Sequence, residues 1–341
     1  MELIRATLPQ VEHYLENTDF SSIPRLAGRS FQVLPLAQGE YNLNYLIRHN
    51  GERFVFRVNI GTQIDRPDQI VYEYQSLKLV SSSGHTPRPL WVDDSRREMA
   101  RGILIMEYLP GEPLDYRRDL TAAARLFAAI HQVPVPASHH LIAETAPLSL
   151  IYEECQGLLE RYFNSELADP QISAYLQEVR QWADSFRQRE SFYQADPWPC
   201  IVNTEVNSGN FIANREAETL HLVDWEMPRY GDPSQDLAHF CSPLTTLWKT
   251  DYRMDEAAKA DFIRDYQEQI DDPHLRDTLV ERLRLREPLV LLRGISWTAM
   301  GWVSYQTGFS GIKNRDTWAT LERYLRLGFI RELFDPHLSA G

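Results

Sequence analysis

The stretch from residue 201 to residue 224 constrains the fold and chemistry of this chain more than any other. Short apolar segments enclose the carboxylate of Glu205 and the amide of Asn210, and a further apolar segment ends at the acid Asp224. Short apolar runs bounded by polar loop residues are typical of buried strands. We therefore expect Asp224 at the end of a short strand, and Glu205 and Asn210 between two apolar segments.

A carboxylate, an amide five positions later and then a strand-end carboxylate suit phosphoryl transfer. In that chemistry the first acid faces the acceptor hydroxyl, whereas the amide and the second acid hold magnesium. Magnesium prefers oxygen ligands, so Asn210 and Asp224 together with phosphate oxygens are a suitable set. Glu205 is the candidate for the group that faces the acceptor.

Three motifs carry a family resemblance. The segments Asn203–Asn210, Val223–Glu226 and Gly231–Ala238 read N-T-E-x-x-x-x-N, V-D-W-E and G-D-P-S-Q-D-L-A. They resemble the aminoglycoside phosphotransferase and choline kinase superfamily, which typically shows H-G-D-x-x-x-x-N, I-D-W-E and G-D-P-x-x-D-L-A. The first motif departs from this pattern because Asn203 replaces His and Glu205 replaces Asp. The resemblance extends over about the whole chain and is clearest from residue 36 to residue 240.

The resemblance implies an α+β, two-lobe protein-kinase-like fold with ATP bound in the cleft. We expect a small antiparallel-sheet N-lobe at residues 1–108, which binds the nucleotide, and a larger, mainly helical, catalytic and substrate-binding C-lobe at residues 109–341. Apolar segments near residues 31–58 indicate three strands, and Asn50-Gly51 is a strong hairpin signal. The boundary is placed near Pro110-Gly111, because this dipeptide interrupts regular structure.

Arg57 is the candidate phosphate-contacting cation. Side chains alternate along a strand, so Phe54, Phe56 and Val58 should share one face while Arg57 lies on the other. Folds of this family place a lysine at the corresponding position, and the natural ionic partner of Arg57 is Glu73 on the next predicted helix. The alternative is a surface arginine and a solvated helix glutamate.

Further residues complete the sites that the resemblance implies. Gly39 lies in the turn that would cover the nucleotide phosphates, although an ordinary hairpin turn explains one glycine equally well. Backbone groups from Glu107 to Leu109 would meet the edge of the adenine. Asp236 would brace the catalytic loop from beneath, and Asp232 is expected to be structural; turn and capping chemistry is the alternative for both.

Helical periodicity covers most of the remaining chain, and His131 at the end of one such segment is expected to be structural. The predicted helices span residues 8–17, 69–80, 120–132, 148–163, 172–186, 255–269, 274–286, 289–305 and 317–334. The C-terminal helices would shape the acceptor pocket but carry no recognisable motif, so the sequence does not identify the acceptor. The stripe that includes Trp297 and Tyr305 suits either core packing or the recognition of a cation or a sugar face.

Composition limits the partners. The formal net charge of −13 argues against nucleic-acid binding, which requires Lys and Arg, and is compatible with a cationic acceptor or simply with solubility. The three cysteines are isolated and indicate neither a disulfide framework nor a zinc site. No signal-peptide or membrane-spanning run is present, so we expect a cytoplasmic protein without a membrane partner. The oligomeric state is not indicated.

Three functions remain open from the sequence. The first is an active kinase that uses ATP, or GTP, with Mg²⁺ to phosphorylate a hydroxyl of an amino-sugar, amino alcohol or related metabolite. The second is a nucleotide-binding pseudoenzyme in which transfer is lost or altered, which the departures at Asn203 and Glu205 favour. The third is an interaction scaffold that binds no nucleotide. Asn210, Asp224 and the intact third motif argue against the scaffold.

Overall fold

The computed structural model describes residues 2–28, 30–248, 250–308 and 315–339. The chain divides into two compact units. The N-terminal unit comprises Met1–Pro113, Val133–Leu141 and Asn210–Pro228, and the C-terminal unit comprises Leu114–Gln132, Ile142–Gly209 and Arg229–Gly341. The lobe boundary that the sequence predicts after residue 108 remains a prediction. The division into units does not correspond to a single boundary, because Val133–Leu141 and Asn210–Pro228 also belong to the N-terminal unit.

The strands are short. In chain order they are β1 Gln32–Gln38, β2 Asn42–His49, β3 Glu52–Asn59, β4 Pro89–Asp93, β5 Ile103–Glu107, β6 Ile142–Ala143, β7 Cys200–Val202, β8 Phe211–Asn214, β9 Thr219–Leu222 and β10 Arg229–Gly231.

The helices account for most of the C-terminal unit. In chain order they are α1 Glu2–Asn17, α2 Gln69–Val80, α3 Leu120–His131, α4 Pro147–Phe163, α5 Pro170–Phe186, α6 Ser191–Ala195, α7 Ser234–Cys241, α8 Pro243–Thr246, α9 Glu256–Glu268, α10 Pro273–Thr307, α11 Arg315–Tyr324 and α12 Leu327–Leu338.

A five-stranded antiparallel sheet of order β1-β2-β3-β5-β4 forms the centre of the N-terminal unit. The turn between β2 and β3 has positive φ angles at Asn50 (49°) and Gly51 (80°). Two-residue hairpins of type I′ require this conformation, and Asn-Gly adopts it readily. The predicted hairpin is therefore confirmed.

The two faces of β3 have the polarity that alternation predicts. Phe54, Phe56 and Val58 are fully buried in the apolar core of the N-terminal unit, and Arg57 lies on the opposite face. Helix α2 begins and ends at the predicted residues. The β8–β9 hairpin belongs to the same unit and is joined to it by an antiparallel bridge between Glu112 and Ala213. This arrangement brings β3, α2 and the β8–β9 hairpin into one unit.

The C-terminal unit is mainly helical, with a small sheet of order β6-β10-β7. Its apolar core includes buried side chains from α4, α5, α10 and α12. The sheet and helix content of the two units confirms the α+β class. Across the described residues, no helix is both long and apolar enough to cross a membrane.

Two helix boundaries predicted from the sequence are wrong. The segments predicted at 274–286 and 289–305 form the single helix α10, with Pro288 inside it. An internal proline costs roughly 3 kcal/mol because it removes one backbone hydrogen bond, and the burial of α10 among other helices offsets that cost. Conversely, the helix predicted at 317–334 is divided into α11 and α12.

Candidate active site

The candidate nucleotide-side residues of the N-terminal unit centre on Arg57. Its guanidinium donates through Nη1 to Glu73 on α2 and, at 3.0 Å, to Oδ1 of Asp224. Nε donates to Oδ1 of Asn44 on the neighbouring strand at 3.0 Å. Burial by itself lowers the pKa of Arg57, but the carboxylates of Glu73 and Asp224 outweigh it and raise that pKa above its ordinary value. Arg57 therefore carries a fixed positive charge, and its expected pairing with Glu73 is present.

The backbone brings Asn210 and Asp224 to the same end of the β8–β9 hairpin. Phe211 pairs with Leu222, and the N–H of Val223 donates to the carbonyl of Asn210 at 2.8 Å. Asp224 has a φ of +63°, a left-handed conformation that Asp tolerates better than most residues. This backbone turn directs the strand-end carboxylate towards Arg57.

The donor set suits magnesium. The carboxylate oxygens of Asp224 and Glu226 lie within 4.8 Å of each other, and Asn210 supplies an amide next to the same hairpin end. The carboxylates of Glu73, Asp224 and Glu226 all act on the charge of Arg57. One cation among three carboxylates leaves an excess of negative charge, which a divalent ion with hard oxygen ligands would neutralise.

Glu226 is a site residue whose role the sequence did not reveal, although it lies within the second motif. Its side chain is buried, and Oε2 accepts from Nδ2 of Asn42 at 2.7 Å while Oε1 accepts from Nε2 of Gln63 at 3.2 Å. Its backbone carbonyl accepts from Nε2 of Gln69 at 2.6 Å. Glu226 therefore connects the segment after Asp224 to the first residue of β2, immediately beyond the turn that contains Gly39.

The Gly39 turn and the predicted adenine-binding segment are both in the N-terminal unit. The N–H of Gly39 donates to the carbonyl of Asn42 at 2.9 Å, and a Cβ at this position would lie 3.6 Å from that oxygen, an ordinary contact. The local geometry thus does not require glycine at this position. Glu107 ends β5, and the backbone N–H and C=O of Leu109 bond to no described residue. Leu109 keeps the donor and acceptor that recognition of a base edge needs.

The loop that carries Glu205 lies in the C-terminal unit and is held by Asp236. The buried Asp236 carboxylate accepts from the backbone N–H of Asn203 at 2.7 Å and of Thr204 at 2.8 Å. Oδ1 of Asn203 in turn accepts from the N–H of Glu205 at 3.0 Å. Asn203 therefore stabilises the loop by a local turn, and Asp236 lies where a brace for the loop was expected.

A second residue that the sequence analysis missed, His239 on α7, also holds this loop. Thr204 has a φ of +74°, which is unfavourable for a β-branched residue. Its carbonyl accepts from Nδ1 of His239 at 2.9 Å. His239 follows the third motif directly, and that adjacency was the signal available in the sequence.

Asp232 and His131 have structural surroundings, as expected. Asp232 accepts from Nη1 of the buried Arg282 at 2.5 Å and from the N–H of Ser234 at 3.0 Å. His131 is buried, with Nδ1 3.0 Å from the hydroxyl of Tyr266 and Nε2 3.4 Å from Oδ2 of Asp236. The bond from Arg282 connects Asp232 to α10. His131 connects Asp236, which holds the Glu205 loop, to α9.

We expect His239 to make the stability of the protein depend on pH. Burial, together with the nearby charge of Arg293, lowers the pKa of His239 from 6.5 to about 4. Between pH 6.5 and pH 4, His239 is protonated in the unfolded chain but neutral in the folded chain. Its contribution to the free energy of unfolding is therefore complete above pH 6.5 and is lost as the pH falls towards 4. The loss is on the order of 2–3 kcal/mol. Urea unfolding of the wild type and of His239→Asn between pH 7.5 and 4.5 measures it, and equal pH slopes would contradict the assignment.

Comparison with known proteins agrees with these motifs. The model of the phosphotransferase enzyme family matches residues 32–277, well over half of the chain. Acyl-CoA dehydrogenase family member 10 of Mus musculus is 25% identical over 225 residues, which are 62% of this chain. The chain spans only 20% of the length of that curated relative.

Solved structures share the fold at low sequence identity. A candidate aminoglycoside phosphotransferase from Ralstonia eutropha JMP134 has a TM-score of 0.67 at 14% identity and covers 97% of both chains. A choline kinase from Cryptosporidium parvum Iowa II has a TM-score of 0.63 at 13% identity, with 93% of this chain and 95% of that chain covered. An ethanolamine kinase from Plasmodium vivax has a TM-score of 0.60 at 12% identity, covering 89% and 84%. The two-lobe protein-kinase-like fold is thereby confirmed.

Proposed function

The chain belongs to the phosphotransferase enzyme family, and on that basis we propose that it is an ATP-dependent small-molecule kinase. It transfers the γ-phosphoryl group to a hydroxyl of an amino-sugar, an amino alcohol or a related metabolite. The observation that carries the proposal is the pairing of Arg57 with Asp224 at the end of the hairpin that also presents Asn210 and Glu226. Phosphoryl transfer depends mainly on positioning and charge neutralisation, which such a set supplies.

The N-terminal unit binds the nucleotide and metal in this proposal. Arg57 contacts nucleotide phosphate while Glu73 and Asn44 fix its guanidinium. Asn210 and Asp224 hold Mg²⁺, which neutralises phosphate charge when bound. The unpaired backbone of Leu109 contacts the adenine or guanine edge, next to Glu107.

Glu205 acts on the acceptor. Its carboxylate takes the proton of the acceptor hydroxyl while the hydroxyl oxygen bonds to the γ-phosphorus, and the bond from that phosphorus to the oxygen bridging to the β-phosphate breaks, which releases ADP. Glu is one methylene longer than the Asp of related motifs, which moves the acid by about 1 Å, and a misplacement of that size can cost roughly a hundredfold in rate. The bonds that Asp236 and Asn203 make to the loop keep Glu205 in one backbone position, and this supports retained activity.

A nucleotide-binding pseudoenzyme is the second candidate. The replacement of His by Asn203 and of Asp by Glu205, together with the strained φ of Thr204, favours it. The two candidates share nucleotide binding and differ in transfer. The proposal further includes a cytoplasmic protein that acts on a small molecule and binds neither nucleic acid nor a membrane, and the net charge of −13 favours a cationic acceptor.

Mg·ATP should stabilise the wild-type protein by about 2–3 kcal/mol at a hundredfold excess over its dissociation constant, because ligands of the folded state stabilise it by mass action. A thermal-shift titration with ATP and GTP, with and without Mg²⁺, measures this effect. Asp224→Asn is the matched variant. It retains the shape of the side chain but removes a charge proposed to bind the metal, so it should reduce the Mg²⁺-dependent part of the stabilisation by nucleotide. A wild type that responds to neither nucleotide in the presence of Mg²⁺ contradicts both candidates.

A further inference from the structure

Arg293 on α10 belongs to the C-terminal unit, and its charge interacts with those of His239 and Glu205. Its Nε donates to both carboxylate oxygens of Glu154 on α4, at 3.0 and 3.1 Å. Its two terminal amines, Nη1 and Nη2, donate to none of the residues that the structure describes. The guanidinium is therefore anchored on one side and keeps its terminal donors on the other.

The charge of Glu205, the proposed catalytic residue, acts on Arg293. Burial lowers the pKa of Arg293, but the charge of Glu154 and, more weakly, that of Glu205 raise it above its ordinary value. The side chain nevertheless remains 26% exposed. Arg293 is thus a mostly buried cation that solvent and ligands can still contact. Because its charge interacts with the carboxylate proposed to deprotonate the acceptor hydroxyl, it is well placed to contact the acceptor.

The packing of α10 holds Arg293 in position. A Cβ at Gly294 would lie 2.6 Å from Cδ1 of Leu244 on α8, so the glycine allows the two helices to approach closely. One turn beyond Arg293 on α10, Trp297 packs edge-to-face against Trp248, with 5.8 Å between ring centroids. Arg293 thus lies on a part of α10 that packs closely against neighbouring residues of the same unit.

The chemistry of the exposed side of the guanidinium indicates its ligand. Arginine offers five N–H donors in a planar fork that matches the two oxygens of a carboxylate or phosphate, and only Nε is used by Glu154. A lysine could not hold Glu154 through one nitrogen and present two others. A neutral or cationic acceptor would leave these donors without a charged partner.

We propose that Arg293 selects the acceptor, and that the acceptor is a hydroxylated small molecule with an oxyanion group, a carboxylate or a phosphate, bound by Nη1 and Nη2. The inference rests on the proposed kinase function and refines its substrate class. It is compatible with an amino group elsewhere on the same molecule, so zwitterionic amino alcohols satisfy both expectations. Arg293 is a specificity-determining residue in this scheme, whereas Glu205 remains the catalytic base.

Matched acceptor pairs test the proposal. Mg²⁺-dependent ATP consumption is measured with ethanolamine and serine, glycerol and glycerate, and galactose and galacturonate, which differ mainly in the carboxylate. We expect the wild type to prefer the carboxylate member of a pair. Arg293→Gln should lower kcat/KM for that member by roughly 10- to 100-fold, mainly through KM, since a hydrogen bond to a charged group contributes about 1.5–3 kcal/mol. The neutral member and the KM for ATP should be unaffected.

Two further variants separate selection from a structural role. Arg284→Gln changes an exposed arginine on the same helix that pairs with Glu281, and it should leave the preference intact. Glu154→Gln weakens the anchor but keeps the terminal amines of Arg293, so it should retain the carboxylate preference. If the pair only fastens α10 to α4, Glu154→Gln and Arg293→Gln should have the same effect, and that result overturns the proposal.

If none of the six compounds is phosphorylated, a measurement of acceptor binding tests the proposal. Glycerate and glycerol are then titrated calorimetrically into the wild-type and Arg293→Gln proteins saturated with Mg·ADP. Glycerate binding that is lost in the variant supports the proposal, and glycerate binding that is absent or equal in both proteins overturns it. The thermal-shift titration with Mg²⁺ and nucleotide is a separate measurement. If the protein binds no nucleotide there, the proposed kinase function itself is contradicted.

Discussion

Replacement of Glu205 by Gln is expected to reduce turnover at least about a hundredfold while the affinity for Mg·ATP changes little. Gln preserves the length of the side chain but cannot take the proton of the acceptor hydroxyl, and general-base catalysis typically contributes 10²- to 10⁴-fold. Glu205 lies in the C-terminal unit and is not assigned as a metal ligand, so nucleotide binding should persist. Steady-state kinetics and a thermal-shift titration on the same preparation measure the two effects. Full activity of Glu205→Gln would remove the acid from the mechanism.

Variants of the preceding residues distinguish an adapted enzyme from a pseudoenzyme. Glu205→Asp alone should not improve turnover, because Asn203 would still hold the loop through its bond to the N–H of residue 205. Asn203→His removes that bond and supplies the side chain found in related motifs. If the wild type is inert on every acceptor while Asn203→His with Glu205→Asp transfers phosphate, the pseudoenzyme interpretation is correct.

Asp236→Asn should lower the free energy of unfolding by about 2–4 kcal/mol, the largest stability effect that we expect from one isosteric change. Asp236 is fully buried and accepts from the N–H groups of Asn203 and Thr204. An amide can accept only one of these bonds and presents its own donors to the other N–H, and an unsatisfied buried donor costs roughly 1–3 kcal/mol. Loss of the bond should also loosen the loop, so turnover should fall with stability.

Urea unfolding at neutral pH measures the change in Asp236→Asn. Asp261→Asn is the matched control, because Asp261 is exposed and pairs with Arg264 on its own helix, a contact of small expected effect. If both variants lose the same small amount of stability, the buried carboxylate does not support the loop.

Local sequence patterns predicted the features that are determined within a few residues. The Asn50-Gly51 turn followed from the φ angles that a type I′ hairpin requires, and the placement of Arg57 on the face opposite Phe56 followed from strand alternation. The local pattern gave the wrong answer at Pro288. The surrounding packing of α10 outweighs the preference of proline to end a helix.

The residues that the sequence analysis missed are defined by partners far away in the chain. Glu226 bonds to Asn42 across 184 positions, and Arg293 bonds to Glu154 across 139. Periodicity indicates which face of a helix or strand is buried, but it does not indicate which side chain lies opposite. The bond from His239 to the loop depends in addition on the left-handed backbone of Thr204, which no local signal predicted because threonine rarely adopts it.

The most direct test of the central claim is detection of the product of phosphoryl transfer. The 341-residue protein is incubated with Mg·ATP and a panel of amino-sugars, amino alcohols, hydroxy acids and neutral sugars, and ³¹P NMR follows the appearance of a phosphate ester with ADP. We predict an ester that forms with at least one acceptor, requires Mg²⁺ and is absent with Glu205→Gln. Mg²⁺-dependent nucleotide binding without an ester from any acceptor would contradict the kinase account and leave the pseudoenzyme.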